Sequence, residues 1–374
     1  MFYKNARIYV DGHFQMGGFE VTEDGYFGAV LPQNVPEDAA DLQGATVIPG
    51  LIDVHIHGAV GADFSDGDSA GLERMAAYLA SAGVTSFAPA SMTLPYETLE
   101  KAFATAHQVS ENRREKCARV VGIHMEGPFF SMKRKGAQNG AYLKNPDVSA
   151  IKKLDKVSNG MLRIVDVAPE LPGSEEFIKE ASKHYTISVA HTDADYDQAA
   201  MAFNAGASHL THTYNCMNGI HHRTPGPIPA AVEQANVRAE LICDGLHIHP
   251  AAVRLAFKLF GDRVVLVSDA LRCCGLADGC YELGGQEVYL QGGVARLADG
   301  TLAGSATNLY DCMVNAITFG VDEELALLAA TYNPACALGL QEQIGAIATG
   351  RYADFIICDS DYKNKKVYIA GKQV

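Results

Sequence analysis

The sequence predicts an α/β fold, a (β/α)₈ barrel carrying a small β-sandwich domain assembled from both termini. Three observations predict it. Eight short apolar, β-branched runs alternate with longer amphipathic stretches from about residue 47 to about residue 340. Both ends of the 374-residue chain instead carry short polar–apolar stretches broken by glycines. Histidines and carboxylates recur at the C-terminal ends of the runs, the end of such a barrel where chemistry is placed. An open α/β sheet is the competing architecture.

Residues 1–46 contain ARIYVDGHF and GYFGAVLP, and residues 345–374 contain GAIATGRYADFIICDSD and KKVYIAGKQV. Both read as short antiparallel strands. Neither segment can bury a core alone, so the two are expected to pair into one β-sandwich. The barrel then occupies 47–344. Its strands are VIPGLIDVHI (47–56), VTSFAPAS (84–91), VVGIHMEG (120–127), LRIVDVAPE (162–170), TISVAHT (186–192), ASHLTHTYN (207–215), AELICDG (239–245) and VVLVSDA (264–270). Between them run helix-like segments such as 69–83, 96–114, 174–185 and 250–261, with apolar residues at helical spacing. A hairpin-like insert follows the eighth strand at about 281–303, in YELGGQEVYLQGGVARLADG.

Bulk composition narrows the function. The net charge of −14 argues against a nucleic-acid backbone or an anionic membrane surface as the main partner. A small anionic substrate stays compatible, since a basic pocket can sit on an acidic protein. The first residues, MFYKNARIYVDGHF, lack the basic-then-apolar layout of a signal peptide. Nine cysteines without CxxC spacing read as reduced thiols rather than a disulfide framework, so a cytoplasmic location is expected.

The chemistry gathers at strand ends. PGLIDVHIHG carries His55 and His57 two apart, hence on one side of a strand. A bare HxH is equally a pair of hydrogen-bonded strand-end histidines. Strand three ends with Glu126 in HMEGP, strand five with His191, strand six with His212 and strand eight with Asp269. Each alone reads as a solvated or hydrogen-bonded residue. Together, four histidines and two carboxylates on five strand ends form a ligand set for a divalent metal. Imidazole and carboxylate without thiolate suit Zn²⁺, with Fe²⁺ or another divalent ion as alternatives.

PGLIDVHIHG, HMEGPF, THTYNCM, DGLHIHP, VSDA and GTLAGS, in this order, resemble the N-acetylglucosamine-6-phosphate deacetylase family of the amidohydrolase superfamily, a TIM-barrel group, over essentially the whole chain. The resemblance implies that Glu126, His191 and His212 hold the catalytic metal. It allows a second ion at His55 and His57, since members with both histidines can hold two. No lysine ends the fourth strand, where other branches of the superfamily carry a carbamylated lysine, which leaves Glu126 as the bridging ligand. Asp269 matches the family's strand-eight aspartate, base and then acid, with a purely metal-ligating role as the alternative. Substrate recognition carries over to Asn215, the main-chain amide of Cys216, Arg223 on the phosphate, and His247. The family places the arginine near a neighbouring subunit's site, which implies a homodimer. One position departs: KRKGAQNG puts Gln138 where many members have a histidine against the acetyl carbonyl, and a glutamine amide donates a hydrogen bond but cannot become cationic.

The implied activity is removal of the acetyl group from N-acetylglucosamine 6-phosphate, giving glucosamine 6-phosphate and acetate in amino-sugar catabolism. The galacto epimer, another metal-dependent amidohydrolase, or a non-enzymatic barrel are the alternatives. His124 is expected beside the ligands or in the barrel core, His209 in packing, and His13, His107 and His184 away from the barrel mouth. His221, His222, His249 and the adjacent Cys273 and Cys274 receive no role.

Overall fold

The computed structural model describes residues 1–374. The chain opens with a hairpin, Phe2–Val10 against His13–Val21, turned by Asp11 and Gly12 at φ 52° and 83°. Two consecutive positive φ values give the primed turn that matches strand twist, and Asp-Gly supplies it at little cost. Phe27–Val30 extends this hairpin, while Thr46–Pro49 runs parallel to the first strand. Phe355–Cys358 then pairs antiparallel with Thr46–Pro49, followed by Lys366–Ile369 and Lys372–Gln373.

Both termini thus share one eight-stranded sheet. Phe19 and Phe355 lie three strands apart in its order, about 14 Å in a flat sheet, yet their rings are 5.1 Å apart. The sheet therefore folds over on itself. Tyr3, Phe19, Phe27 and Phe355 fill the space inside, a core separate from that of the barrel.

The stretch 47–56, expected as one strand, is two. Thr46–Pro49 belongs to the terminal sheet and Leu51–Ile56 to the barrel, with Gly50 between them. The seven following barrel strands are Val84–Ser91, Ile123–Met125, Leu162–Val167, Thr186–Val189, His209–Leu210, Arg238–Ile242 and Val264–Val267, each parallel to the one before. Leu51–Ile56 pairs with Val84–Ser91. The ring closes through Asp269 N donating to His55 O and His57 N donating to Ala270 O, both at 2.9 Å. These two bonds hold the first and eighth strand ends, and their side chains, against each other.

The helices form where amphipathic spacing predicts. Ser69–Ala82 begins at Asp68, whose carboxylate accepts from Ala70 N and Gly71 N, and ends at Gly83 with φ 102°. It buries Leu72, Met75 and Leu79 on the barrel, each worth about 1.5–3 kcal/mol of transfer free energy. The insert has three antiparallel strands rather than two, Gly279–Leu283, Gln286–Gln291 and Val294–Leu297. Its Leu283, Val288 and Leu290 pack on Met92 and Leu271, which seats it beside the barrel mouth. No helix is long and apolar enough to cross a membrane.

Candidate active site

Five of the candidate metal-site side chains, His55, His57, His191, His212 and Asp269, reach the barrel mouth from strand ends whose backbone is unusual. A register shift between Asp53 and Ile56 accompanies the approach of His55 and His57. His191, His212 and Asp269 have φ of 43°, 27° and 49°. Non-glycine residues rarely occupy this region, and surroundings that hold three of them there mark a functional site.

Glu126 lies at the centre. Its Oε1 is 3.1 Å from His191 Nε2 and 3.2 Å from His212 Nε2, and those two nitrogens are 3.1 Å apart. Bonds of about 2.1 Å from a tetrahedral ion put ligand atoms about 3.4 Å from one another. The three atoms therefore already form one face of such a site. His191 Nδ1 donates to Arg134 O at 2.9 Å, so its Nε2 keeps the lone pair a metal needs.

A second group adjoins the first. His57 Nε2 is 3.4 Å from Glu126 Oε2 and 3.3 Å from Asp269 Oδ1. His55 Nε2 lies 3.5 Å from Glu126 Oε1 and 3.7 Å from Asp269 Oδ1. His57 Nδ1 donates to Ala90 O and His55 Nδ1 to Glu240 Oε2. The buried His55 Nε2 then has no hydrogen-bond partner in the chain. A buried, unpartnered imidazole nitrogen aimed at two carboxylates is what a cation site requires, and the residues fit a divalent metal.

The electrostatics agree. Burial opposes ionisation of Glu126, but hydrogen bonds from His191, His212, His55 and His57 outweigh it and hold the carboxyl well below its usual range. Burial likewise disfavours a cationic His57, yet Asp269 and Glu126 push its pKa up to about 10. Without a metal, the carboxylates draw protons onto the rings.

Beneath this set lies a second polar layer, where His124 sits as the sequence analysis expects, but whose carboxylates Glu240, Asp166 and Asp53 it did not single out. Glu240 Oε2 accepts from His55 Nδ1 at 3.0 Å and His212 N at 3.1 Å, and its Oε1 faces His209 Nε2 at 3.0 Å. His209 is thus a hydrogen-bonding residue rather than simple packing. His124 Nδ1 donates to Val54 O and its Nε2 to Asp166 Oδ1, both at 2.9 Å. Asp53 Oδ1 takes the N–H groups of His55 and Ser268 beside the strand-one irregularity. Alternation could have found Glu240, which sits in AELICDG as a charge amid apolar residues of a buried strand.

The cleft above the layers measures about 210 Å³ and is lined by Gln138, Asn215, Cys216 and His247 among others, with Leu283, Thr301 and Leu302 reaching in from the insert and its flank. His247 Nδ1 is held by Asp244 Oδ2 at 2.7 Å. Gln138 is buried with both ends of its amide engaged: Nε2 donates to Glu126 Oε2, and Oε1 accepts from Thr93 N at 2.7 Å. Arg223 is the sequence-selected residue that the fold does not bring to the cleft of its own chain. It is exposed beside His222. His249 caps the helix Pro250–Phe260 by accepting from Ala251 N, and His13 pairs with Glu324 on the surface.

Residues 46–374 match the amidohydrolase family. The chain is 36% identical to the N-acetylglucosamine-6-phosphate deacetylase of Vibrio furnissii, with 90% of this chain and 85% of that protein covered. It is 34% identical to the N-acetylgalactosamine-6-phosphate deacetylase of Escherichia coli O157:H7, over 93% and 92% of the two chains. A mutant N-acetyl-D-glucosamine-6-phosphate deacetylase from Mycobacterium smegmatis, in complex with N-acetyl-D-glucosamine-6-phosphate, superposes with a TM-score of 0.92 at 32% identity, covering 100% of this chain and 98% of that one. The strand-end histidines and carboxylates, the closed parallel barrel and these similarities agree that the chain belongs to the amidohydrolase family, among the N-acetylated amino-sugar phosphate deacetylases.

Proposed function

We propose that the chain hydrolyses the acetamide of N-acetylglucosamine 6-phosphate to glucosamine 6-phosphate and acetate. The observation that carries the reading is a single cleft holding the Glu126–His191–His212 face with Asp269 Oδ1 3.3 Å from His57 Nε2 on its wall. Glu126, His191 and His212 are assigned to the catalytic metal, and His55 and His57, with Glu126 between, to a second. Zinc is the assigned ion, on the strength of the imidazole–carboxylate donor set. When bound, the metal would polarise the acetyl carbonyl and acidify the attacking water.

The protein's own groups supply the proton path. Asp269 is the base that takes the proton of the attacking water and returns it to the departing amine nitrogen. The histidines beside it favour its ionised form against burial, the form a base needs. Asn215, the Cys216 amide and His247 line the cleft and are assigned to the sugar and its phosphate. Gln138 belongs to the same wall, where its bond to Glu126 fixes the carboxylate between the two ligand groups. Arg223 is assigned to the phosphate of a neighbouring subunit's site in a homodimer, a soluble cytoplasmic enzyme of amino-sugar catabolism.

The galacto epimer is the second reading, favoured by the similar identity to the galactosamine enzyme. Metal analysis with amine-release assays on both epimers tests the proposal. Faster turnover of N-acetylglucosamine 6-phosphate is expected, and hydrolysis of neither epimer by metal-replete protein overturns it. Mixing Asp269→Asn and Arg223→Ala subunits tests the dimer. A mixed pair retains one site with native Asp269 and a partner's native Arg223, so activity should reappear on mixing. Failure to regain any activity in mixed dimers rules out the arginine acting between subunits.

A further inference from the structure

At the opposite end of the barrel, a cleft of about 590 Å³ opens between the N-terminal strand ends and the terminal sheet. Arg113, Arg119 and Arg163 line it, with Tyr352 and Asp24 contributed by the terminal sheet's side. We propose that this cleft binds a phosphate group, as the free ion or a small phosphate monoester, and thereby clasps the two parts of the molecule together.

Three features argue for an anion. The first is unused donor capacity: Arg113 and Arg163 line the cleft, and neither guanidinium donates a hydrogen bond within the chain, Arg113 Nη1 and Arg163 Nε being left without partners. A guanidinium forks onto phosphate oxygens with paired N–H groups, so two uncommitted guanidinium groups on one cleft suit that ligand. The second is charge. On a chain of net charge −14, three guanidinium groups here face two carboxylates, Asp24 and Asp354. Asp354 is already taken by Arg119 and by Ala370 N, and Asp24 is exposed on its turn. The third is positioning. Arg119 is held over the Tyr352 ring at 4.3 Å, and Tyr26 stacks on Tyr352. Arg113 is disfavoured as a cation first by burial and then by the neighbouring Arg119, and an anion between the two would offset that penalty.

This cleft is distinct from the barrel mouth. Arg119 begins the short strand Arg119–Val120, and Glu126 lies six residues beyond Val120 at the other end, roughly 20 Å of extended chain. Arg163 is the second residue of Leu162–Val167, also at the N-terminal end.

Thermal unfolding of the metal-replete protein tests the proposal, with inorganic phosphate and glucose 6-phosphate titrated separately at constant ionic strength set by chloride. The difference between native protein and Arg113→Gln/Arg163→Gln is the quantity to read, because anion binding at the barrel mouth is common to both and cancels. At ten times the dissociation constant, the native Tm should rise by roughly 2 °C more than that of the double variant. Without phosphate the variant should unfold no lower than the native protein, since it has lost a like-charge contact, and its turnover should be unchanged. The larger shift, with phosphate or with its ester, identifies which source the cleft prefers. Arg163→Lys keeps the charge without the fork, should give a smaller shift, and serves if the double variant does not fold. Equal phosphate shifts in native and variant proteins overturn the proposal, as does an equal native shift when chloride replaces phosphate.

Discussion

Two layers of histidine and carboxylate stack inside this barrel, made of the same residue types, and only the upper one is open. In the lower layer His124 spends both nitrogens on Val54 O and Asp166, and Glu240 spends both oxygens on His209, His55 and the His212 amide. His55, His124 and Glu240 stand close enough together to suit an ion, yet His124 has no lone pair to offer. Asp166 Oδ2 and His209 Nδ1 remain unpartnered, but singly. In the upper layer, His57 and His191 are tied through Nδ1 to backbone carbonyls while their Nε2 atoms converge on Glu126. The difference teaches that a metal site is recognised by converging free valence rather than by histidine content. The lower layer orients what the upper layer presents.

If that division holds, the largest effect belongs to an upper-layer group that is not needed as a ligand. Asp269→Asn keeps shape but cannot take a proton. Turnover should fall by at least about 10²-fold, while metal content stays near native, because three protein ligands remain in the proposed set of Glu126, His191 and His212. Metal analysis beside single-turnover assays checks this. Full rescue by excess zinc would assign Asp269 to ligation instead.

The lower layer should act through the metal. Glu240→Gln leaves one acceptor where His55, His209 and the His212 amide now share two. Zinc affinity should drop by about 10- to 100-fold, the usual cost of losing such a partner, and turnover should recover at saturating zinc. Chelator competition measures the first effect, and zinc titration of activity the second. An affinity equal to that of the native protein would show that the lower layer is mere packing.

Much of this was legible in the sequence, and the reason is local. Strand alternation and fixed strand-end placement make His55, His57, Glu126, His191, His212 and Asp269 visible one strand at a time. Glu240 was missed because its meaning lies in partners 185 residues away at His55 and 31 away at His209. The split of 47–56 at Gly50 was missed because both halves are fully buried and short, and the run VIPGLI carries no polar residue at the point where the chain passes from one sheet to another. Arg223 shows the converse limit. Its motif selects it, but its placement in a single chain leaves it exposed.

Proton competition sharpens the comparison at smaller amplitude. In the metal-free protein the His57 pKa is raised to about 10, from a model-peptide value near 6.5. The stability contributed by its protonated form is fully present below about pH 6.5 and is lost as pH rises toward 10. Zinc bound at this ring, as proposed, would have to displace that proton, so affinity should climb by up to about tenfold per pH unit across this window for each proton released. The Tm gap between zinc-loaded and metal-free protein should therefore widen from pH 6.5 to pH 9. A constant gap would mean that the upper-layer rings are neutral before metal arrives.

The smallest effect is expected at Gln138, where the two layers are not at stake but the carboxylate between the ligand groups is. Its amide donates to Glu126 Oε2 and accepts from Thr93 N at 2.7 Å. A neutral imidazole offers the same pairing, one N–H donor and one lone-pair acceptor in a single plane. Gln138→His should therefore keep turnover at pH 8 within about tenfold of native, less than about 1.4 kcal/mol in the barrier. The variant should differ in its pH profile. Once the ring protonates, its second nitrogen becomes a donor facing the Thr93 N–H, two donors with no acceptor between them. An added acidic limb in kcat, absent from the native protein, is the expected signature. A profile that parallels the native one at every pH would show that residue 138 does not hold Glu126 through this bond, and that the position faces the substrate alone.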